Sequence, residues 1–157
     1  MEIQTNQLYE MKNAISYRAK MTQQEVNEVM NRMGAFIKEN GLNKSGCVTT
    51  TTFTVESAGG TQLMDIEILC PVDKACDVPY GFTFKPKFRL SNAAKITHNG
   101  NPANMQESVN KLISYLNENK FTPVTSLYNV TVNEPKTPMD IDNMVVDMYI
   151  GVTDNIL

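Results

Sequence analysis

Two acidic residues stand inside apolar runs that are typical of buried strands. Glu67 lies within residues 64–72 (MDIEILCPV), and Asp147 lies within residues 143–152 (NMVVDMYIGV). A carboxylate that is removed from water is unfavourable unless a cation or hydrogen-bond donors compensate its charge. Two kinds of chemistry suit such a group: recognition of a cationic or hydrogen-bond-donating ligand, and general-base catalysis if its environment raises the pKa of the carboxyl group.

Two amphipathic helices are predicted, and each lies upstream of one of these runs. A capping box of Thr22 and Glu25 begins the first helix. Asn101, which precedes Pro102, and Asn104, which precedes Glu107, are both candidate caps of the second. The apolar residues at helical spacing are Val26, Val29, Met30, Met33, Phe36 and Ile37 in the first helix, and Met105, Val109, Leu112, Ile113 and Leu116 in the second.

The order of elements repeats along the chain. Each helix is preceded by a strand-like segment (residues 14–20 and 93–99) and followed by a hairpin, which predicts a β-α-β-β unit used twice. The half-repeats are about residues 14–72 and 93–152, joined by a connector at 73–92, in a single domain of residues 1–157. The predicted fold class is α+β: duplicated units that form one antiparallel sheet with two main helices on one face.

Side-chain alternation predicts which face of the sheet holds the carboxylates. The apolar sets that should face the helices are Met64, Ile66, Ile68 and Cys70 in the first half, and Val146, Met148, Ile150 and Val152 in the second. Glu67, Leu69, Asp147 and Tyr149 then point away from the helices. The aromatic residues without a place in the helical core are Tyr17, Tyr80, Phe82 and Phe84. We expect them to wall a ligand cleft above both carboxylates.

The chain resembles the GyrI-like small-molecule-binding domain, which is also the effector-binding module of some AraC- and MerR-type regulators and has a SOUL-like fold. The resemblance covers about residues 14–152, and its most specific parts are residues 117–135 (NENKFTPVTSLYNVTVNEP) and 145–152 (VVDMYIGV). It implies a pocket carboxylate at Asp147, an aromatic partner at Tyr149 and a corresponding acidic position at Glu67. The chain departs from the pattern because the acid is aspartate, Gly151 replaces a proline, and tryptophan is absent.

Other function classes are disfavoured by composition. The formal net charge is −3, and Lys85, Lys87 and Arg89 alternate as the polar side of a strand, so direct nucleic-acid binding is not expected. The single histidine, His98, is expected in a solvated turn. Three cysteines without CxxC spacing complete a pattern that predicts neither a metal nor a cofactor. No apolar span predicts membrane insertion, and a cytoplasmic location is expected.

Three functions follow as hypotheses. The preferred one is a stand-alone effector-binding protein for a small, partly apolar and cationic ligand. The first alternative is a regulatory protein that binds another protein and retains a vestigial cleft. The least favoured is a hydrolase in which Asp147 or Glu67 acts as the base and Tyr149 as its partner.

Overall fold

The computed structural model describes residues 2–133 and 137–153. The elements within these ranges are, in chain order, β1 (Ile3–Met21), α1 (Gln23–Glu39), β2 (Thr49–Ala58), β3 (Thr61–Pro71), β4 (Thr83–Asn99), α2 (Met105–Glu118), β5 (Thr122–Asn133) and β6 (Val145–Thr153). Short 3₁₀ turns lie at Pro102–Asn104 and Pro138–Asn143. Antiparallel strand pairing with two helices makes the fold α+β, as predicted. Glu134 and Pro135, which belong to the segment that carries the resemblance, lie outside the described residues.

The chain divides into two units, residues 10–88 and residues 1–9 with 89–157. In the first unit, β3 pairs antiparallel with β1 on one side and β2 on the other. In the second unit, β6 pairs antiparallel with β4 and β5 in the same manner. Each unit therefore uses a strand, a helix and two further strands, with the last strand in the middle. Superposition of the two halves stays a prediction.

Helix α1 begins at the predicted capping box. Thr22 Oγ1 accepts a hydrogen bond from the Glu25 amide at 3.2 Å, and Glu25 Oε1 accepts one from the Thr22 amide at 3.1 Å. The helix residues that are buried against β3 are Val26, Val29, Met33 and Ile37, and their strand partners include Ile66, Ile68 and Cys70. Met30 is exposed, so its predicted burial is wrong. Met30 lies about 100° around the helix from Val29, at the outer edge of the buried stripe.

Helix α2 packs on β6 in the second unit. Leu112 and Leu116 are buried in one cluster with Met148 and Ile150, and Val109 is partly buried against it. The predicted inward faces of β3 and β6 are thereby confirmed. Ile113 is exposed. It follows Leu112 in sequence and therefore lies about 100° further around the helix, outside the buried stripe. Its prediction as a core residue is wrong.

The strands before the helices are longer than the sequence predicts. β1 begins at Ile3 instead of residue 14, and β4 begins at Thr83 instead of residue 93. Residues 83–92 of the predicted connector are therefore strand. The added segments are rich in polar residues, and pairing with neighbouring chain can make such a segment a strand despite a weak local pattern.

His98 is buried, and the prediction that it lies in a solvated turn is wrong. It is the penultimate residue of β4, and the turn signal read from Asn99 and Gly100 begins only after it. The ring is within 2.9 Å of two partners: Nδ1 contacts Ser108 Oγ, and Nε2 contacts the Asn101 carbonyl. These contacts compensate the polar ring for its loss of water.

Candidate functional site

Glu67 is the buried carboxylate of the unit formed by residues 10–88. Its position in β3 is opposite Arg18 of β1 and Thr51 of β2. Ser16 Oγ donates a hydrogen bond to Oε2 at 2.5 Å, and Lys85 Nζ approaches the same oxygen at 2.5 Å. A hydroxyl group and an ammonium group therefore compensate a charge that the fold has taken out of water.

The sheet face around Glu67 is buried and largely polar. Strand register places Ser16 beside Leu69, Thr49 on the other side of Leu69, and Thr51 beside Glu67. All of these residues are buried. Glu67 and Leu69 thus share the face away from the helix, as predicted. The buried face around Glu67 therefore carries hydroxyl-bearing residues as well as Leu69.

The two described partners of Glu67 contact the same carboxylate oxygen. In the part of the chain that the structure describes, Ser16 and Lys85 both contact Oε2, and none of the hydrogen bonds goes to Oε1. Over the same residues, the fully buried side-chain atom that lacks a partner is Asn129 Oδ1. Oε1 of Glu67 can therefore accept a further hydrogen bond or contact a cation.

Asp65 lies on the same face as Glu67, and both of its carboxylate oxygens accept hydrogen bonds from Arg18. Arg18 donates two hydrogen bonds to its carboxylate, at 3.1 and 3.0 Å, and the Arg18 guanidinium carbon lies 3.8 Å from the centre of the Phe53 ring. The hydrogen bond from Arg18 lowers the pKa of Asp65. This exposed pair is a useful comparison for Glu67, because the two carboxylates are two residues apart in one strand.

Asp147 is the carboxylate of the other unit, and both of its oxygens have a partner. Thr97 Oγ1 donates to Oδ1 at 2.6 Å, and Lys95 Nζ lies 3.5 Å from Oδ2. The pKa of Lys95 is raised: burial, the largest influence, lowers it, but Tyr149 and Asp147 together outweigh that effect. Lys95 is thus held as an ammonium beside the carboxylate.

Tyr149 extends the Asp147 centre with an aromatic surface. Its ring stacks on Tyr9 with 4.8 Å between ring centres and an interplanar angle of 19°. Lys95 Nζ lies 5.5 Å from the Tyr149 ring centre. Tyr9 is not among the residues that the sequence predicted for the site. Residues 3–9 (IQTNQLY) are mostly polar and show no apolar alternation that could identify this strand.

The other predicted aromatic residues are placed differently. Tyr17 pairs with Ile68 and contacts Phe82 with 5.0 Å between ring centres. Both rings pack on the helix-side core cluster, so they line the opposite side of the sheet from Glu67. Tyr80 is fully exposed. Phe84 is partly buried and is adjacent to Lys85 in β4.

A groove of about 510 Å³ lies on α2 and is lined by Ile3, Lys111, Tyr115 and Glu118, among others. It contains none of the predicted site residues. Over residues 2–133 and 137–153, no group of three or more His, Cys, Asp or Glu residues is arranged to hold a metal ion. None of the helices in those ranges is both long and apolar enough to cross a membrane.

No family model and no curated protein matches the chain, but solved structures do. The C-terminal domain of EcmrR matches with a TM-score of 0.74 at 16% identity, over 99% of this chain and 100% of that one. EcmrR in a complex with DNA matches with a TM-score of 0.79 at 14% identity, over 98% of this chain. The match spans 58% of that longer chain.

Two more solved structures have the same fold. A hydrolase from Listeria innocua matches with a TM-score of 0.62 at 11% identity, over 94% of this chain and 92% of that one. SAV2435 bound to tetraphenylphosphonium matches with a TM-score of 0.52 at 12% identity, over 98% and 94% of the two chains. At these identities the likeness concerns the fold. The resemblance to the GyrI-like fold is thereby confirmed.

Proposed function

We propose that this chain binds a small, partly apolar cation, and that Glu67 is the carboxylate the cation contacts. The observation that carries the proposal is the Glu67 side chain, which is buried on a polar sheet face and whose partners among the described residues both contact Oε2 and not Oε1. A cation that reaches this oxygen recovers in electrostatic attraction part of the hydration it loses. The apolar part of the ligand contributes through its removal from water.

The fold neighbours support this choice of ligand. SAV2435 has been solved with tetraphenylphosphonium, a cation whose charge is enclosed by apolar rings. EcmrR carries this fold in a C-terminal domain and forms a complex with DNA. We propose that the present chain also binds an organic cation, with Leu69 as a further contact on the sheet face of Glu67. We propose Asp147 and Tyr149 as a separate candidate contact within their own unit. Tyr149 can contact a cation through its ring face.

Calorimetric titration with tetraphenylphosphonium tests the role of Glu67. Glu67→Gln keeps the shape of the side chain and removes its charge, so the affinity should fall. For a ligand that displaces Lys85 from the carboxylate, a full charge at about 5–6 Å and an effective dielectric constant of about 20 sets an upper limit of about 3 kcal/mol, or on the order of a hundredfold in Kd. Asp65→Asn is the matched control. It removes a carboxylate from the same strand, but one that is already paired with Arg18. Its affinity should equal that of the wild type.

A neutral ligand of similar size separates charge recognition from apolar contact. Triphenylphosphine oxide should bind the wild type and Glu67→Gln equally. Equal affinity of tetraphenylphosphonium for both folded proteins contradicts the role of Glu67. If tetraphenylphosphonium does not bind the wild type at all, a lipophilic-cation site is refuted and the protein-partner hypothesis becomes the better one.

A further inference from the structure

Lys85 forms an ion pair with Glu67, the carboxylate that a cationic ligand would contact. Its Nζ lies 2.5 Å from Glu67 Oε2, and the side chains are 36% and 7% exposed, respectively. The pair is neutral as a whole. An arriving cation is therefore attracted by the carboxylate and repelled by the ammonium group over nearly the same distance, so the net attraction is small while Lys85 stays in place.

We propose that Lys85 is an internal competitor for Glu67 and thereby determines which cations bind. This inference rests on the proposed function of Glu67. A ligand must displace Lys85 Nζ from Oε2, which costs the lysine its ion pair. Only a ligand that also buries a large apolar surface offsets that cost. A small, strongly hydrated cation has no such surface and is excluded.

The two partners of Glu67 differ in their ability to leave. Lys85 has a flexible four-carbon stem and is partly exposed, so its ammonium group can move into water and be hydrated there. Ser16 has a short side chain and is buried, so its hydroxyl group stays beside Oε2. Displacement of Lys85 therefore leaves a carboxylate that is still oriented by Ser16 and now has an unbalanced negative charge.

Titration of Lys85 variants with tetraphenylphosphonium tests this competition. Lys85→Met removes the ammonium group and keeps an unbranched side chain, so binding should tighten by about tenfold or more. Lys85→Arg keeps the ion pair and should bind no more tightly than the wild type. Lys87→Met is the matched control, because Lys87 is exposed and lies two residues further along the same strand. It should change the affinity by less than about twofold.

Ligand selectivity gives a readout that a purely structural role of Lys85 does not change. Tetramethylammonium carries the same charge with little apolar surface, and the wild type should not bind it measurably. Lys85→Met should bind it. The ratio of the affinity for tetraphenylphosphonium to that for tetramethylammonium should therefore be smaller in Lys85→Met than in the wild type. Lys85→Gln, which keeps a hydrogen-bond donor without the charge, should behave similarly and replaces Lys85→Met if that variant does not fold.

The outcomes separate this inference from the function on which it rests. If Glu67→Gln binds tetraphenylphosphonium as the wild type does, the proposed function fails. If Glu67→Gln weakens binding but the uncharged Lys85 variants do not tighten it, only the competition fails. Equal tightening by Lys85→Met and Lys87→Met also overturns the competition, because the effect is then one of overall charge.

Discussion

Replacing Ser108 by alanine should destabilise the protein by about 1–3 kcal/mol, the cost of leaving a buried polar group without its partner. Ser108 and His98 are 0% and 4% exposed. The Asn101 carbonyl only accepts, so His98 Nε2 donates to it across 2.9 Å. In the neutral ring, Nδ1 then accepts the Ser108 hydroxyl hydrogen at 2.9 Å. Alanine at position 108 removes that donor from a place that water does not reach.

Urea unfolding followed by circular dichroism measures the effect, and a double-mutant cycle isolates it. Ser108→Ala is compared in the natural protein and in a His98→Leu background, where no ring nitrogen remains to be satisfied. The difference between the two free-energy changes should be about 1–2 kcal/mol. Ser114→Ala is the control, since Ser114 lies on the exposed side of the same helix, and it should change the free energy of unfolding by less than about 0.5 kcal/mol.

Two results refute this reasoning. One is a Ser108→Ala variant that is as stable as Ser114→Ala. The other is an equal loss of stability with and without His98, which shows that the serine acts through other contacts.

Three further predictions concern the core and the carboxylates. Leu112→Ala should lower the free energy of unfolding by about 2–5 kcal/mol, whereas Ile113→Ala, at an exposed position, should lower it by less than about 1 kcal/mol; equal losses in denaturant unfolding contradict the placement of α2. Arg18 lowers the pKa of Asp65 in the folded protein below the ordinary value of 3.8. The Arg18–Asp65 pair therefore stabilises the fold above pH 3.8, and this contribution is lost as the pH falls through the lower pKa of the folded state. As the pH is lowered, the thermal midpoint of Asp65→Asn should therefore fall less steeply than that of the wild type. Parallel curves of thermal midpoint against pH would show that the Arg18–Asp65 pair does not contribute to stability. Asp147→Asn should weaken tetraphenylphosphonium binding in calorimetry with little change in the thermal midpoint; unchanged affinity shows that Asp147 contacts no bound cation.

The sequence by itself determined the features that depend on local periodicity. The capping signal at Thr22 and Glu25 predicted where α1 begins, and the structure contains both hydrogen bonds of the box. Alternation along β3 and β6 predicted that Ile68 and Met148 face the helices and that Glu67 does not. These inferences succeeded because the direction of a side chain depends on its own strand or helix, whose period is a property of the backbone.

Only the tertiary structure decided which groups meet. Ser16 and Glu67 are 51 residues apart, and Lys85 reaches the same carboxylate from another strand. Tyr17 was predicted on the cleft side, but its pairing with Ile68 places it on the helix side. His98 is buried because Ser108 of α2 lies against it. Each of these contacts requires the register between strands or the placement of a helix on a sheet. Local residue patterns do not specify those quantities, because they arise from the packing of segments distant in sequence.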